Sequence, residues 1–233
     1  MAARSYGQYC GVTTAVELIG ERWALLIVRD LLVGPRRYTD LKQGLPRIPT
    51  NILSTRLKEL QEGGVVRRVP LHNCGLVYEL TDYGRALEPV ILALGRWGFQ
   101  TMGDPGEGDI VTPDSLTMAL RTAFQADAAA DAEYEVHVGD VAVRASVRDG
   151  RLSVARVGSS VLERGAQRRD EEPQPDAVIV AGPGIRRLIS GELSPAEALE
   201  QDVLAVVRGD VSVLDDFART FHIAPLTVQG VSS

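Results

Sequence analysis

The sequence predicts an α+β chain of two domains: a helical domain closed by a β-hairpin, then a domain in which helices cover an antiparallel sheet. Three observations carry this. The chain has 233 residues, which suits two modest domains. Its composition of 45% hydrophobic and 24% charged residues is that of a chain that buries real cores. Hydrophobic periodicity runs at helical spacing before about residue 62, alternates afterwards, and repeats the mixture beyond residue 113.

Apolar residues recur at helical spacing over Val12 to Ile19 and Trp23 to Leu32, with Gly20 as the break. Gly34-Pro35 ends the second helix, and Tyr38 to Gln43 forms a short third before the turn Gly44-Leu45-Pro46. Pro49 suits the first position of a fourth helix, Pro49 to Glu62, because that position leaves its N–H without an intrahelical partner anyway. Leu53, Leu57 and Leu60 give this helix one apolar stripe, and Thr50, Asn51, Ser54, Thr55 and Lys58 give it a polar one. Gly63-Gly64 stops it. Alternating strands Val65 to Leu71 and Leu76 to Thr81, joined by His72-Asn73-Cys74-Gly75, make a hairpin. A last helix, Tyr83 to Gly98, carries Leu87, Val90, Ile91, Leu94 and Trp97, more apolar surface than a small domain covers by itself.

The glycine-, proline- and acid-rich stretch 102–113 reads as a linker, so the domains are 1–101 and 114–233. The second domain is expected to hold a helix from Ser115 to about Asp127 and an antiparallel meander of Glu133 to Val138, Val141 to Arg148 and Arg151 to Val157. A polar loop over Ser159 to Gln174 leads to strand Asp176 to Ala181, helices Pro183 to Ser190 and Ser194 to Glu200, strand Val203 to Arg208, and helix Val211 to Phe221.

The formal charge of -6 is unevenly distributed. Met1 to Asp104 holds 13 Lys and Arg against 10 Asp and Glu, a net of +3; the rest holds 12 against 21, a net of -9. Only the first part favours a polyanion. Between Arg36 and His72 the excess sharpens to 8 basic residues against 3 acidic ones. A short helix, a glycine-containing turn and a second helix with a small-polar face is the helix-turn-helix geometry that sets the second helix in a DNA major groove, and the hairpin that follows is its wing. Thr50, Asn51, Ser54 and Thr55 are short enough to approach base edges. Arg37, Arg56, Lys58, Arg67, Arg68 and His72 are candidates to hold phosphates.

The residues also resemble a known family, the HxlR-type regulators, which stand with the MarR-like winged helices. The resemblance runs from about Cys10 to Gly98 through Ile19-Gly20-Glu21-Arg22-Trp23, Leu31-Leu32-Val33-Gly34-Pro35-Arg36-Arg37-Tyr38, Leu53-Ser54-Thr55-Arg56-Leu57-Lys58-Glu59-Leu60, Tyr78-Glu79-Leu80-Thr81 and Leu94-Gly95-Arg96-Trp97-Gly98. It implies a homodimer on a two-fold operator in double-stranded DNA, with terminal helices at the dimer interface. The chain departs from the family where a Ser or Thr often caps the recognition helix: Ile48-Pro49-Thr50 stands there. Some family members sense oxidants or electrophiles through a cysteine near the N-terminus, which makes Cys10 a candidate redox sensor; the alternative is a small buried apolar residue. No His or Lys lies near it in sequence.

Asp176 to Val180, Leu188 to Ala198 and Val206 to Phe217 resemble the C-terminal half of sterol-carrier-protein-type domains. That resemblance implies a tunnel for a lipophilic small molecule; the alternative is a core that helps the protein dimerise. No catalytic constellation is legible. The three histidines have no metal spacing, Ser159-Ser160 has no nucleophile-elbow context, and Gly182-Pro183-Gly184 lacks a following Lys and Ser/Thr. No catalytic residue, metal or cofactor is expected. Two cysteines and no run of 18 apolar residues lead to the expectation of a cytoplasmic protein without a membrane span.

Overall fold

The computed structural model describes residues 5–71, 75–158 and 174–225. The chain divides into two compact units, Met1–Ile91 and Leu92–Ser233.

The first unit contains α1 (Gly11–Ile19), α2 (Ala24–Val33), α3 (Tyr38–Gly44), α4 (Thr50–Glu62), β1 (Val66–Leu71), β2 (Gly75–Leu80), α5 (Asp82–Arg85) and the start of α6 (Glu88–Phe99). α2 buries Ala24, Ile27, Val28 and Leu31, and α4 buries Leu53, Leu57 and Leu60. These stripes pack with Leu41, Ile48, Val65, Val66, Val77 and Leu80 as the core of the unit, each removed from water at about 25 cal/mol per Å² of apolar surface. α4 ends in a Schellman motif. Val65 N–H donates to the Leu60 carbonyl (2.9 Å) and Gly64 N–H to that of Gln61 (3.0 Å), with Gly64 at φ +70. β1 and β2 pair antiparallel, Val66 opposite Leu80 and Val69 opposite Val77, and a main-chain bridge from Arg36 to Tyr78 adds a third short segment to the wing.

Two details differ from the sequence expectation. Pro49 is the N-cap of the fourth helix and not its first residue: its ψ of 142 is extended, so α4 begins at Thr50. The expected helix Tyr83 to Gly98 is two, because Pro89 has no N–H to continue a ladder from α5 and its ring opposes the preceding turn. Gly84 in α5 lies against Val65, the residue just before the wing. A Cβ there would stand 2.1 Å from the Val65 carbonyl oxygen, so only glycine fits.

The second unit contains the end of α6, then α7 (Pro113–Ala123), β3 (Ala132–Val138), β4 (Val141–Arg148), β5 (Arg151–Arg156), β6 (Ala177–Ala181), α8 (Ile185–Ile189), α9 (Pro195–Glu200), β7 (Leu204–Arg208) and α10 (Val213–Thr220). A capping box starts α7: Ser115 N–H donates to Thr112 Oγ1 (3.1 Å) and Thr112 N–H to Ser115 Oγ (2.8 Å). The helix stops at Ala123, short of the expected Asp127, because Phe124 turns extended to bridge Phe221.

The sheet has the order β5-β4-β3-β6-β7. The expected meander β3-β4-β5 is present and β6 pairs antiparallel with β7, but β6 runs parallel to β3, so the sheet is mixed where an antiparallel one was expected. Parallel neighbours need a crossover of roughly a dozen residues or more, and the stretch 157–176 supplies that length. Alternation gives the sheet one inner face, including Tyr134, Val136, Val143, Ala145 and Ile179, which packs on Leu116, Leu120, Leu188, Leu214, Phe217 and Phe221. The other face carries an ion network: Glu135 accepts from Arg144 (2.9 Å) and pairs with His137 (2.8 Å). Asp114, buried at 2% exposure, is neutralised by Arg156 at 2.7 Å.

Candidate nucleic-acid interface

The turn that presents α4 is held by its own side chains. Lys42 Nζ donates to the carbonyls of Pro46 (2.9 Å) and Ile48 (2.8 Å), closing the loop between α3 and α4. The Tyr38 hydroxyl donates to the Thr50 carbonyl (2.8 Å) and lies 3.2 Å from Ser54 Oγ. With Ile48 and Leu53 buried on the near side, the first turn of α4 has a fixed direction.

Thr50, Asn51, Ser54 and Lys58 are exposed on the side opposite the leucine stripe; Thr55 is half-buried. The Thr55 hydroxyl donates back to the Asn51 carbonyl (2.9 Å) and that of Ser54 to Thr50 (3.1 Å), so both hydroxyls spend a donor on the helix backbone. Asn51 projects an amide that offers both a donor and an acceptor.

The cations named from the sequence occupy different settings. Arg37, Arg67 and Arg68 are exposed. Arg67 pairs across the hairpin with Glu79 at 2.6 Å, and Arg68 lies over the Tyr78 ring at 5.8 Å. Lys58 is only loosely tied, 3.7 Å from Glu62. Arg56 is different in kind. Its side chain is 15% exposed and held between Glu21 (3.3 Å) and Glu59, so it joins α4 to the segment before α2 and is not presented outward. Arg36, counted in the basic stretch, is buried at 6% and donates to the Pro35 carbonyl (2.9 Å). Arg47, not among the cations singled out from the sequence, is exposed on the turn just before α4. Its position next to a recognition-type helix was the available signal. His72 and Cys74, in the wing turn, and Ser159-Ser160 lie outside the described residues.

Cys10 is the N-cap of α1 and is exposed, not buried. The N–H groups of Thr13 and then Val12 in the first helical turn, with the Thr13 hydroxyl, lower its thiol below the usual range, although no regular capping hydrogen bond closes to it. The missing basic neighbour is thus replaced by the positive end of a helix, which sequence proximity does not reveal.

Residues 18–105 match the family model described as HxlR-like helix-turn-helix. YvaP of Bacillus subtilis (strain 168), an uncharacterized HTH-type transcriptional regulator, is 40% identical over 85 residues, 36% of this chain and 79% of its own. The HTH-type transcriptional regulator YodB of the same organism is 34% identical over 96 residues, 40% of this chain and 85% of its own. YkvN, another uncharacterized HTH-type regulator of that strain, is 32% identical over 113 residues, 46% of this chain and 96% of its own. Matches of this identity across most of each relative's length, falling on a helix-turn-helix with a wing, establish that the chain belongs to the HxlR family of helix-turn-helix transcriptional regulators.

Proposed function

We propose that this protein is a sequence-specific transcription regulator that grips a two-fold operator in double-stranded DNA as a homodimer, from a winged domain of residues 1–101 joined by 102–113 to a second domain, 114–233. The observation that supports it is the division of labour on one rigid frame: α4 turns its leucines inward and Thr50, Asn51 and Ser54 outward, and the wing carries Arg67 and Arg68 in water. Asn51, Thr50, Ser54 and Thr55 take the base edges; Arg37, Lys58, Arg67, Arg68 and His72 take phosphates. Arg56 moves from the phosphate group to a supporting role. The acidic second domain is kept off the DNA by its charge.

Dimerisation is supported by an uncovered stripe on α6. Val90, Leu94 and Trp97 stand at i, i+4 and i+7 with exposures of 45%, 42% and 72%, whereas Ile91 turns into the core and Leu87 is half-buried. A two-fold protein requires a self-complementary patch of this kind. Sedimentation at micromolar concentration is expected to give a dimer for the native chain and a monomer for Val90→Glu with Trp97→Glu. A native monomer that still fills a two-fold site removes the proposal of dimeric binding.

Two readings of control follow from separate observations. The exposed, acidified thiol of Cys10 supports a redox-sensing role. Alkylation of the Cys10 peptide, followed by mass spectrometry, is expected to proceed with a midpoint below that of a free cysteine; a midpoint at or above the free value removes the role. For the second domain, the space a lipophilic tunnel needs is taken, among the described residues, by the rings of Tyr134, Phe217 and Phe221, with centroids 4.8 to 6.0 Å apart. That packing favours the alternative of a structural or dimerisation module over a tunnel. The likeness to sterol-carrier-protein-type domains therefore rests on sequence segments alone.

A further inference from the structure

The second unit has a cleft of about 300 Å³ outside its packed interior, walled by the C-terminal end of α6 with the turn after it, by α8 with its following loop, and by the segment beyond α10. Phe99, Met102, Ile223 and Pro225 give it apolar walls, and Arg186 and Glu192 give it charge. That volume corresponds to about ten liquid waters and stands at the small end of ligand sites. A molecule with on the order of ten non-hydrogen atoms fills it, far less than a sterol.

Arg186 decides the chemistry. Its side chain is 12% exposed, its Nη1 and Nη2 meet Glu192 at 2.5 and 2.9 Å, and Asp104 lies 3.8 Å away. Among the described residues its Nε is buried without an acceptor. A guanidinium is a fixed fork of donors, and an incomplete set of acceptors in a sheltered place is filled by a carboxylate that binds two of them at once. Glu192 and Asp104 are themselves 47% and 75% exposed, so their carboxylates return to water more readily than Arg186 does. The pairing holds the Glu192 carboxyl below its usual range, so it remains a charged competitor for the fork.

We infer that this cleft binds a small amphipathic carboxylic acid, whose carboxylate takes Arg186 from Glu192 and whose apolar body lies against Phe99, Met102, Ile223 and Pro225. This goes beyond the DNA-binding reading and stands or falls separately from it, because it concerns the second unit alone.

The test is isothermal titration of the full-length protein with octanoate and with benzoate, and with 1-octanol as the uncharged control. Saturable one-to-one binding of at least one carboxylate at millimolar concentration or below is expected, with none for 1-octanol. Arg186→Gln should weaken that binding at least about tenfold, the loss that accompanies a hydrogen bond to a charged group. Because that variant also loses a structural pair, Glu192→Gln is the second arm: it leaves the fork in place without its charged competitor, and binding should tighten severalfold. The inference is overturned if neither carboxylate binds, if 1-octanol binds equally well, or if Glu192→Gln weakens binding.

Discussion

Replacing Phe217 with alanine is expected to destabilise the second unit by about 3–5 kcal/mol, the range for emptying an aromatic position at the centre of a core. Phe217 is fully buried, its ring 4.8 Å from that of Phe221 and edge-on to Tyr134 at 5.4 Å. Removing it strips favourable ring packing from both neighbours, and the sheet below cannot follow, because its register is fixed on both sides of β3. Amide hydrogen exchange measures the loss. Protection in β3 and β4 should fall by several kcal/mol while the amides of α2 keep theirs. Val207→Ala, at a side chain 68% exposed on the edge strand, is the control and should change little. Unchanged β3 protection in Phe217→Ala would mean that this cluster does not hold the unit together.

The same particulars explain what was legible in the sequence. The leucine stripe of α4 and the alternation of the wing were readable because burial on one side imposes a period, and the structure buries the leucines that the period selects. The meander was readable because Gly139-Asp140 and Asp149-Gly150 mark tight turns, with positive φ at Gly139, Asp149 and Gly150. The parallel pairing of β3 with β6 was not readable, since it depends on which edge of the meander the chain returns to after a long connection and no local residue encodes that choice. Pro89 was present in the sequence, but a continuous apolar pattern around it concealed the break.

Arg56 shows the limit most clearly for the site. From the sequence it is one more candidate to hold phosphate, like Lys58 two positions on, although it stands outside the polar stripe, three residues after Leu53 and four before Leu60. Its capture by Glu21 is a long-range interaction, visible only once α4 lies against the segment before α2. Charge counted along a sequence therefore overstates what DNA meets. Of the eight basic residues between Arg36 and His72, Arg36 and Arg56 serve the fold and Lys42 closes a loop.

The remaining cations give the second large expected effect. The double variant Arg67→Ala with Arg68→Ala should weaken operator binding by more than about tenfold near physiological salt and reduce the slope of log affinity against log salt by about 3.6 per dimer, roughly 0.9 for each of the four phosphates left without its cation. Arg67 is expected to exchange Glu79 for phosphate, because its own side chain is 59% exposed and a pair with one exposed partner is worth about 1 kcal/mol. Arg68 keeps its guanidinium in water beside Tyr78, whose ring limits how far the side chain wanders before binding. Arg56→Ala is the contrast that gives the measurement its meaning. It should cost about 1–3 kcal/mol of folding stability through the missing charged hydrogen bonds, with the salt slope unchanged in the folded fraction. Fluorescence anisotropy of a labelled operator across a salt series gives the slopes, and urea denaturation gives the stability. If Arg56→Ala lowers the slope while the wing variant leaves it as it was, the DNA lies along a different face of the unit from the one that α4 and the wing present.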